Sequence, residues 1–368
     1  MNGWTGKIVR RLSAEVREFR RWEALRSPSG LRAYYGMDRL PGREAPISGG
    51  IVKCLDLAAR FPNSPDKANL LYLVSSALPD RRELLARAAQ RAGGKVVLNQ
   101  NGVAYPAWAG ASWRKQNAPN ARVHAAADFV VYQSEFCRRC AERFLGTRTG
   151  PGEVLRNPVD TDLFSPRDGF DRKAAAPVLL AAGSHHDRYR VKTAIDALAI
   201  VRRGGIEARL AVAGRLVWSP DGESEARQWA CAAGVATAVE FLGPYSQAAA
   251  PALFRKADAL VHLKVQDACP RLVVEAMASG VPIVYSATGG VPELAGGEAG
   301  IGIPGEEDFE EIHPPSVEAV AEAILRLLAN REALARQARA RAVRLFSVRD
   351  WLDAHQRIFA SLAGGTGR

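Results

Sequence analysis

The sequence predicts an α/β protein made of two parallel-sheet units, and three observations carry that expectation. Short apolar runs alternate with amphipathic helical patterns along the chain, as in β-α-β succession. The length of 368 residues exceeds one ordinary compact core and suits two domains of roughly 150–180 residues each. A turn-rich polar stretch, with Asn157-Pro158, Ser165-Pro166, Gly169 and Pro177, divides the chain near its middle.

The elements follow in order. Residues 1–31 carry Lys7, Arg10, Arg11, Arg17, Arg20, Arg21 and Arg26 among Ile8, Val9, Leu12, Val16, Phe19 and Trp22. The apolar spacing of three and four predicts a basic amphipathic helical extension, lying on a membrane surface or packed on its own domain. Apolar runs at 70–74, 96–98, 129–132, 178–182, 208–213, 258–263 and 281–285 read as strands buried on both faces. Helical stripes fall between them, among them 51–59, 191–202 and 317–328. These elements divide into an N-terminal domain at 1–160, a linker at 161–177 and a C-terminal domain at 178–346. A last helix at 347–368, with Trp351, Leu352, Ile358 and Phe359 on one spacing, is placed to cross back to the first domain.

Composition narrows the class. No run of about 18 apolar residues occurs, so no spanning helix is expected, and the N-terminus lacks the apolar stretch of a signal peptide. The five cysteines at 54, 137, 140, 231 and 269 have no disulfide framework spacing, which points to reduced thiols and a cytoplasmic location. Cys137 and Cys140 form a lone C-x-x-C in a helical stretch and read as packing residues, not a metal pair. The net charge of +11 is uneven: residues 1–160 hold 26 Lys and Arg against 14 Asp and Glu, while the remainder is close to neutral. The first half therefore suits an anionic acceptor or an anionic membrane surface, the alternative being an ordinary arginine-rich solvated face. Nucleic acid is not an expected partner.

The chemistry concentrates in 258–294. A strand (258–263) leads into a loop, and a helix starts near Pro270, since proline suits a first helical turn. The N–H groups of Arg271, Leu272 and Val273 at that start could hold a diphosphate. Asp267 precedes Glu275 by eight positions, so two carboxylates can face one ligand and accept hydrogen bonds from sugar and ribose hydroxyls. The next strand ends in Gly289-Gly290, which permits close backbone approach to a ligand.

These residues carry a resemblance. The segment Glu275-Ala276-Met277-Ala278-Ser279-Gly280-Val281-Pro282, followed by Gly289-Gly290-Val291-Pro292-Glu293, resembles the signature of retaining glycosyltransferase family 4. The stretch from Arg156 through Asn157, Pro158, Val159 and Asp160 to Phe164 is similar to that family's interdomain motif. Val239 through Gly243 to Tyr245 looks like its base-contacting loop. The likeness is good from about 128 to 345 and looser before that. It implies the GT-B fold, two Rossmann-like doubly wound domains facing a central cleft, and transfer of a sugar from a nucleotide diphosphate-sugar to a glycan or lipid-linked acceptor. It further implies retention of configuration and no cofactor or metal; no Asp-x-Asp stands at a strand end.

Roles carry over residue by residue. Glu275 would hold ribose hydroxyls and Asp267 the sugar hydroxyls, with Gly183, Ser184, Gly243, Tyr245 and Lys264 also in the donor site. Two departures stand out. Asp267 replaces the usual glutamate and is a methylene shorter. Within 183–192, Ser184 occupies the place of the arginine that clamps the leaving diphosphate, so Arg188, Arg190 or Lys192 must supply the charge, with Arg188 and Lys192 preferred. In the first domain, Gly49-Gly50 is either the glycine-rich loop that approaches the diphosphate or a plain turn. Asn101, Tyr105 and Trp108 form either an acceptor-binding rim or an ordinary surface loop. His185 and His186 are candidates for phosphate contact; His124 reads as packing. The rival reading is a non-catalytic nucleotide-sugar-binding or scaffolding relative that has lost its phosphate clamp.

Overall fold

The computed structural model describes residues 16, 18–44, 47–166 and 176–364. They form two compact units divided at Leu155/Arg156. The first contains the described residues up to Gly42, Ile47–Leu155 and the chain from Arg349 on. The second is Arg156–Val348, together with Arg43 and Glu44.

The first unit has a five-stranded sheet, β1 (Ala33–Tyr34), β2 (Leu70–Val74), β3 (Lys95–Gln100), β4 (Phe129–Tyr132) and β5 (Gly152–Val154). All pairs are parallel and the strands lie in sequence order. β2 is buried at every residue and most of β3 and β4 likewise, because helices such as Arg82–Arg91 and Trp113–Ala126 pack on the sheet. Helix Glu135–Phe144 is capped by Ser134, whose Oγ accepts from the Cys137 N–H at 2.9 Å, and it buries Cys137 and Cys140. The last helix, Val348–Gly364, belongs to this unit. His355 of that helix meets Tyr72 Oη at 2.8 Å, and Phe359 packs edge-on against Phe61 with ring centres 5.0 Å apart.

The basic helical extension expected at 1–31 lies largely outside the described residues. Within them, residues 18–20 are helical, but the chain then leaves the helix: Trp22 bridges Ala68 in parallel and is buried. Glu23 N–H donates to Ala68 O, and Ala68 N–H to Arg21 O. Backbone pairing to the segment before β2 overrides the amphipathic spacing there. The linker at 161–177 is likewise only partly described; Phe164 is buried against Phe254, so its first residues are packed into the second unit.

The second unit has a six-stranded parallel sheet: β6 (Val178–Ala182), β7 (Arg209–Ala213), β8 (Val239–Gly243), β9 (Ala259–His262), β10 (Ile283–Ser286) and β11 (Gly300–Ile303). The spatial order is β11-β10-β9-β6-β7-β8, a doubly wound sheet whose winding reverses between β6 and β9. One apolar cluster holds Leu179, Val191, Ile195, Leu198, Leu210 and Ile324, and a second holds Leu260, Val273, Met277, Ile283, Leu294 and Phe346. Ligands in such sheets bind beyond the carboxyl ends of the strands at the reversal. Here those ends are Gly183 after β6 and Leu263 after β9. Among the described residues, no helix is long and apolar enough to cross a membrane.

Candidate functional site

The reversal point gathers the groups that chemistry needs. β6 is followed by Gly183, φ +103°, and β7 by Gly214, φ +107°. Gly183 N–H donates to Ala213 O at 3.1 Å, and Gly214 N–H to Gly243 O at 2.7 Å, so three strand ends are stitched across their tips. A Cβ on Gly214 would fall 1.9 Å from Gly183 O, and one on Gly183 would meet Leu272 Cδ2 at 3.2 Å. The close approach and the left-handed backbone both demand glycine. Gly214→Ala is therefore expected to destabilise the second unit by at least about 2 kcal/mol, read as a lower urea midpoint. An unchanged midpoint would show that the strand tips can move apart.

The loop after β9 holds the first carboxylate. His262, the last strand residue, is buried, and its Nε2 lies 3.1 Å from Asp267 Oδ2. Lys264 Nζ lies 3.3 Å from Asp267 Oδ1. The backbone is equally constrained: Gln266 sits at φ +52°, its N–H donating to Thr288 Oγ1 at 2.9 Å, and Gly290 N–H donates to Asp267 O at 2.8 Å. A Cβ on Gly289 would fall 2.7 Å from Asp267 O. The glycine pair expected to approach a ligand instead lets one loop lie directly on the backbone of Asp267. It serves the site by placing the acid. Burial alone would raise the Asp267 pKa, but Lys264, His262 and Arg190 together hold it well below the usual carboxylate range.

Glu275 lies inside helix Arg271–Ala278, whose N-cap is Pro270 with extended backbone. It is buried and accepts from Arg271 Nε at 2.9 Å and from Gln247 Nε2 at 2.8 Å. Tyr245 stands half-buried nearby; burial and the charge of Glu275 raise its pKa. At the helix start, Val273 N–H already donates to Pro270 O at 3.1 Å, so it is not available to a diphosphate as expected. The tight turn after Pro270 uses it first. The companion motifs converge here as well: Arg156 Nη2 reaches Glu293 Oε2 at 3.2 Å, and Asn157 Nδ2 donates to Cys269 O at 2.5 Å.

The cation assignment changes. Helix Arg188–Arg203 turns Arg188 toward Glu225, with Nη2 3.2 Å from Oε2, and Lys192 toward Asp196, with Nζ 2.6 Å from Oδ2. Both side chains are more than half exposed. Arg190 points inward instead: it is buried, its Nη1 donates to Ser184 O at 2.9 Å, and its Nε has no partner among the described residues. Burial lowers its pKa, opposed by the charges of Asp267, Tyr189 and Asp187. Helix periodicity is the reason, because residues 188 and 192 share an outer face while 190 is rotated some 200° away. Ser184 is exposed, and His185 is buried with no partner for Nδ1 among the described residues, its pKa pushed down to about 3 by burial and Arg190. His186 is exposed.

The first unit's candidates fare unevenly. Gly49 and Gly50 are the first residues of helix Gly49–Ala58, not a loop; a Cβ on Gly50 would fall 2.7 Å from Ser76 Oγ. Asn101 is tied to Ser75, accepting from its Oγ at 2.9 Å. Tyr105 is buried, and Trp108 is 55% exposed. Of the acceptor-side trio only Trp108 presents its ring to solvent, because Tyr105 packs against Phe144 at 6.2 Å. The bond of His262 to Asp267 is one that sequence reasoning missed. The signal was a histidine five residues before an acid across a strand-to-loop break.

Residues 167–343 match the family described as Glycosyl transferases group 1. The glycogen synthase of Mycobacterium tuberculosis (strain CDC 1551 / Oshkosh) is 28% identical over 241 residues, 62% of this chain and 54% of that protein. The chain thus spans about half the length of the curated relatives it matches. Among solved structures, sucrose-phosphate synthase from Thermosynechococcus elongatus superposes with a TM-score of 0.65 at 18% identity, covering 85% of this chain and 76% of that one. The Anabaena protein HepE in complex with UDP gives 0.64 at 19%, covering 84% and 81%. A glycosyltransferase from Rickettsia africae gives 0.65 at 14%, covering 87% and 89%. These likenesses show the fold, GT-B.

Proposed function

We propose, from the match of residues 167–343 to the family described as Glycosyl transferases group 1, that the protein is a retaining, metal-independent glycosyltransferase. It moves a sugar from a nucleotide diphosphate-sugar to a glycan or lipid-linked acceptor. One observation carries the reading: Asp267, Glu275, Lys264 and Arg190 are placed around the carboxyl ends of β6 and β9, where a doubly wound sheet binds its ligand. In this reading Glu275 accepts from the ribose hydroxyls, with Tyr245 and Gly243 beside the base. Asp267 accepts from the donor sugar. The leaving diphosphate is met by Lys264 and, through the loop it anchors at Ser184, by Arg190. Positive charge fixed before reaction stabilises a departing anion without reorganisation. The HepE structures hold UDP and UDP-glucose, which makes uridine donors the first to test.

The acceptor side falls to the basic first unit. Trp108 is exposed, and the Arg114 guanidinium lies 4.4 Å over the Trp113 ring, a pairing of aromatic and cation suited to an interface with anionic lipid. Sedimentation with vesicles should show binding that requires anionic lipid, weakens between 0.1 and 0.5 M salt on the order of the Debye screening change, and drops for Trp108→Ala. Binding indifferent to salt would remove the membrane from the proposal.

The enzyme itself is tested with UDP-, GDP- and ADP-sugars, measuring binding by calorimetry and release of nucleoside diphosphate. One donor should bind and turn over, and Asp267→Ala should abolish turnover while keeping nucleotide binding. Binding with no turnover, with lipid-linked and glycan acceptors both supplied, would favour the non-catalytic reading. The motive for keeping that second reading is that Arg188 and Lys192 are engaged by Glu225 and Asp196.

A further inference from the structure

The two oxygens of Asp267 have partners of different character. Oδ2 faces His262, whose ring is 1% exposed and sits at the end of a strand held between β6 and β10. Oδ1 faces Lys264, whose side chain is 37% exposed on a long flexible stem. One partner is built in; the other is free to leave.

The imidazole's proton can be placed from its surroundings. Nδ1 of His262 is buried and has no partner among the described residues, whereas Nε2 meets a carboxylate. A neutral imidazole has one N–H, and it belongs on the nitrogen that has an acceptor. Burial first, with Arg190 and Lys264 adding to it, lowers the His262 pKa against the opposing pull of Asp267, so the ring stays neutral. His262 therefore donates Nε2–H to Oδ2 and contributes no charge that would compete with a phosphate for Lys264. An aspartate is shorter than glutamate by a methylene, and its carboxylate can rotate. The bond from His262 removes that rotation, while Gly289 and Gly290 hold the backbone behind it.

We propose that His262 is a positioning residue: it fixes Asp267 through Oδ2 so that, when donor binds, Lys264 swings from Oδ1 to the diphosphate and Oδ1 takes a hydroxyl of the donor sugar. This rests on the donor-site reading of Asp267. The exchange is balanced in charge, since the ammonium leaves one anion for another and the sugar hydroxyl replaces its hydrogen bond.

Two variants of near-equal volume test it. His262→Gln places an amide N–H near the position of Nε2, and His262→Leu removes the donor. Both are first checked for a native thermal transition. The Leu variant should lose about 10- to 100-fold in kcat, with affinity for free nucleoside diphosphate unchanged, and the Gln variant should recover most of the loss. A merely structural role would damage nucleotide affinity and turnover together, and Gln would not rescue. Wild-type turnover in the Leu variant, or equal loss in both, overturns the proposal. A second readout needs no donor. In 15N-histidine-labelled protein His262 should report the Nε2–H tautomer, with a signal that moves in Asp267→Asn. The Nδ1–H tautomer overturns the positioning role outright. If that signal is as expected but no nucleotide sugar binds the wild type, the donor-site reading fails instead, and the substrate exchange falls with it.

Discussion

Glu275→Ala is expected to cost the second unit about 3–5 kcal/mol and to abolish detectable donor binding. Glu275 and Arg271 are both nearly sealed from solvent, with side chains 5% and 9% exposed and 2.9 Å between Oε1 and Nε. Breaking such a pair from one side leaves a buried guanidinium without its carboxylate, which is far more damaging than never having had the pair. Gln247 loses its acceptor in the same step. For a unit of this size the melting temperature should fall by roughly 2–4 °C per kcal/mol. Glu275→Gln separates the two effects, since it keeps an acceptor for Arg271 and Gln247 but loses the charge that strengthens bonds from ribose hydroxyls. We expect it to melt between the Ala variant and wild type, because the hydrogen bonds survive while the buried guanidinium loses its counter-charge, and to lose on the order of tenfold or more in nucleotide-sugar affinity. Undiminished affinity in the Gln variant would take Glu275 out of the donor site.

The second large effect is acid sensitivity. His355 bridges Tyr72 Oη and Trp351 O, and burial pushes its pKa down to about 4. His185 lies near 3, and His124, beside Tyr132 Oη at 2.9 Å, near 4, also through burial. The unfolded chain takes up protons below about 6.5 that the folded chain refuses, so stability falls as pH drops below that value. The decline continues until the folded-state values near 4 and 3 are reached. At pH 5, His355 and His185 should each cost about 2 kcal/mol. His355 weakens the first unit and His185 the second. Urea titrations at pH 7.5 and 5 should show the midpoint falling, and His355→Gln should flatten the dependence of the first unit. Equal midpoints at the two pH values would mean that these histidines accept protons without unfolding.

Acidic groups with a depressed pKa act in the same sense, losing their contribution as pH falls, but at the far acid end of the range. The Asp267 pKa is depressed in the folded state, so its contribution is present above its unfolded value and disappears only in strong acid. The loss expected between pH 7.5 and 5 therefore comes from the buried histidines, not from Asp267.

What the sequence reveals and conceals follows a physical rule. Central strands β2, β3, β4, β6, β7, β9 and β10 are covered on both faces, and each reads in the chain as a continuous apolar run. The four strands that sequence reading passed over, β1, β5, β8 and β11, are the edges of the two sheets. β8 alternates between buried and exposed, and β11 is Gly-Ile-Gly-Ile, whose glycines weaken any strand pattern. An edge strand is defined by a neighbour on one side, which local composition does not encode.

The site divides in the same way. By itself, the sequence determined the α/β class, the carboxylate pair Asp267 and Glu275, and their place beside a strand end, because spacing along one loop and helix is a local property. Only the tertiary structure decided which of the three cations turns inward, since Arg188, Arg190 and Lys192 differ in helix rotation and in the partners that neighbouring elements supply. It also decided that Gly289 and Gly290 serve the Asp267 backbone and that His262 holds the carboxylate. The glycine contacts join the loops after two adjacent parallel strands, and such strands meet only after the crossover between them has folded, whereas His262 and Asp267 lie five residues apart and needed only the geometry of one loop.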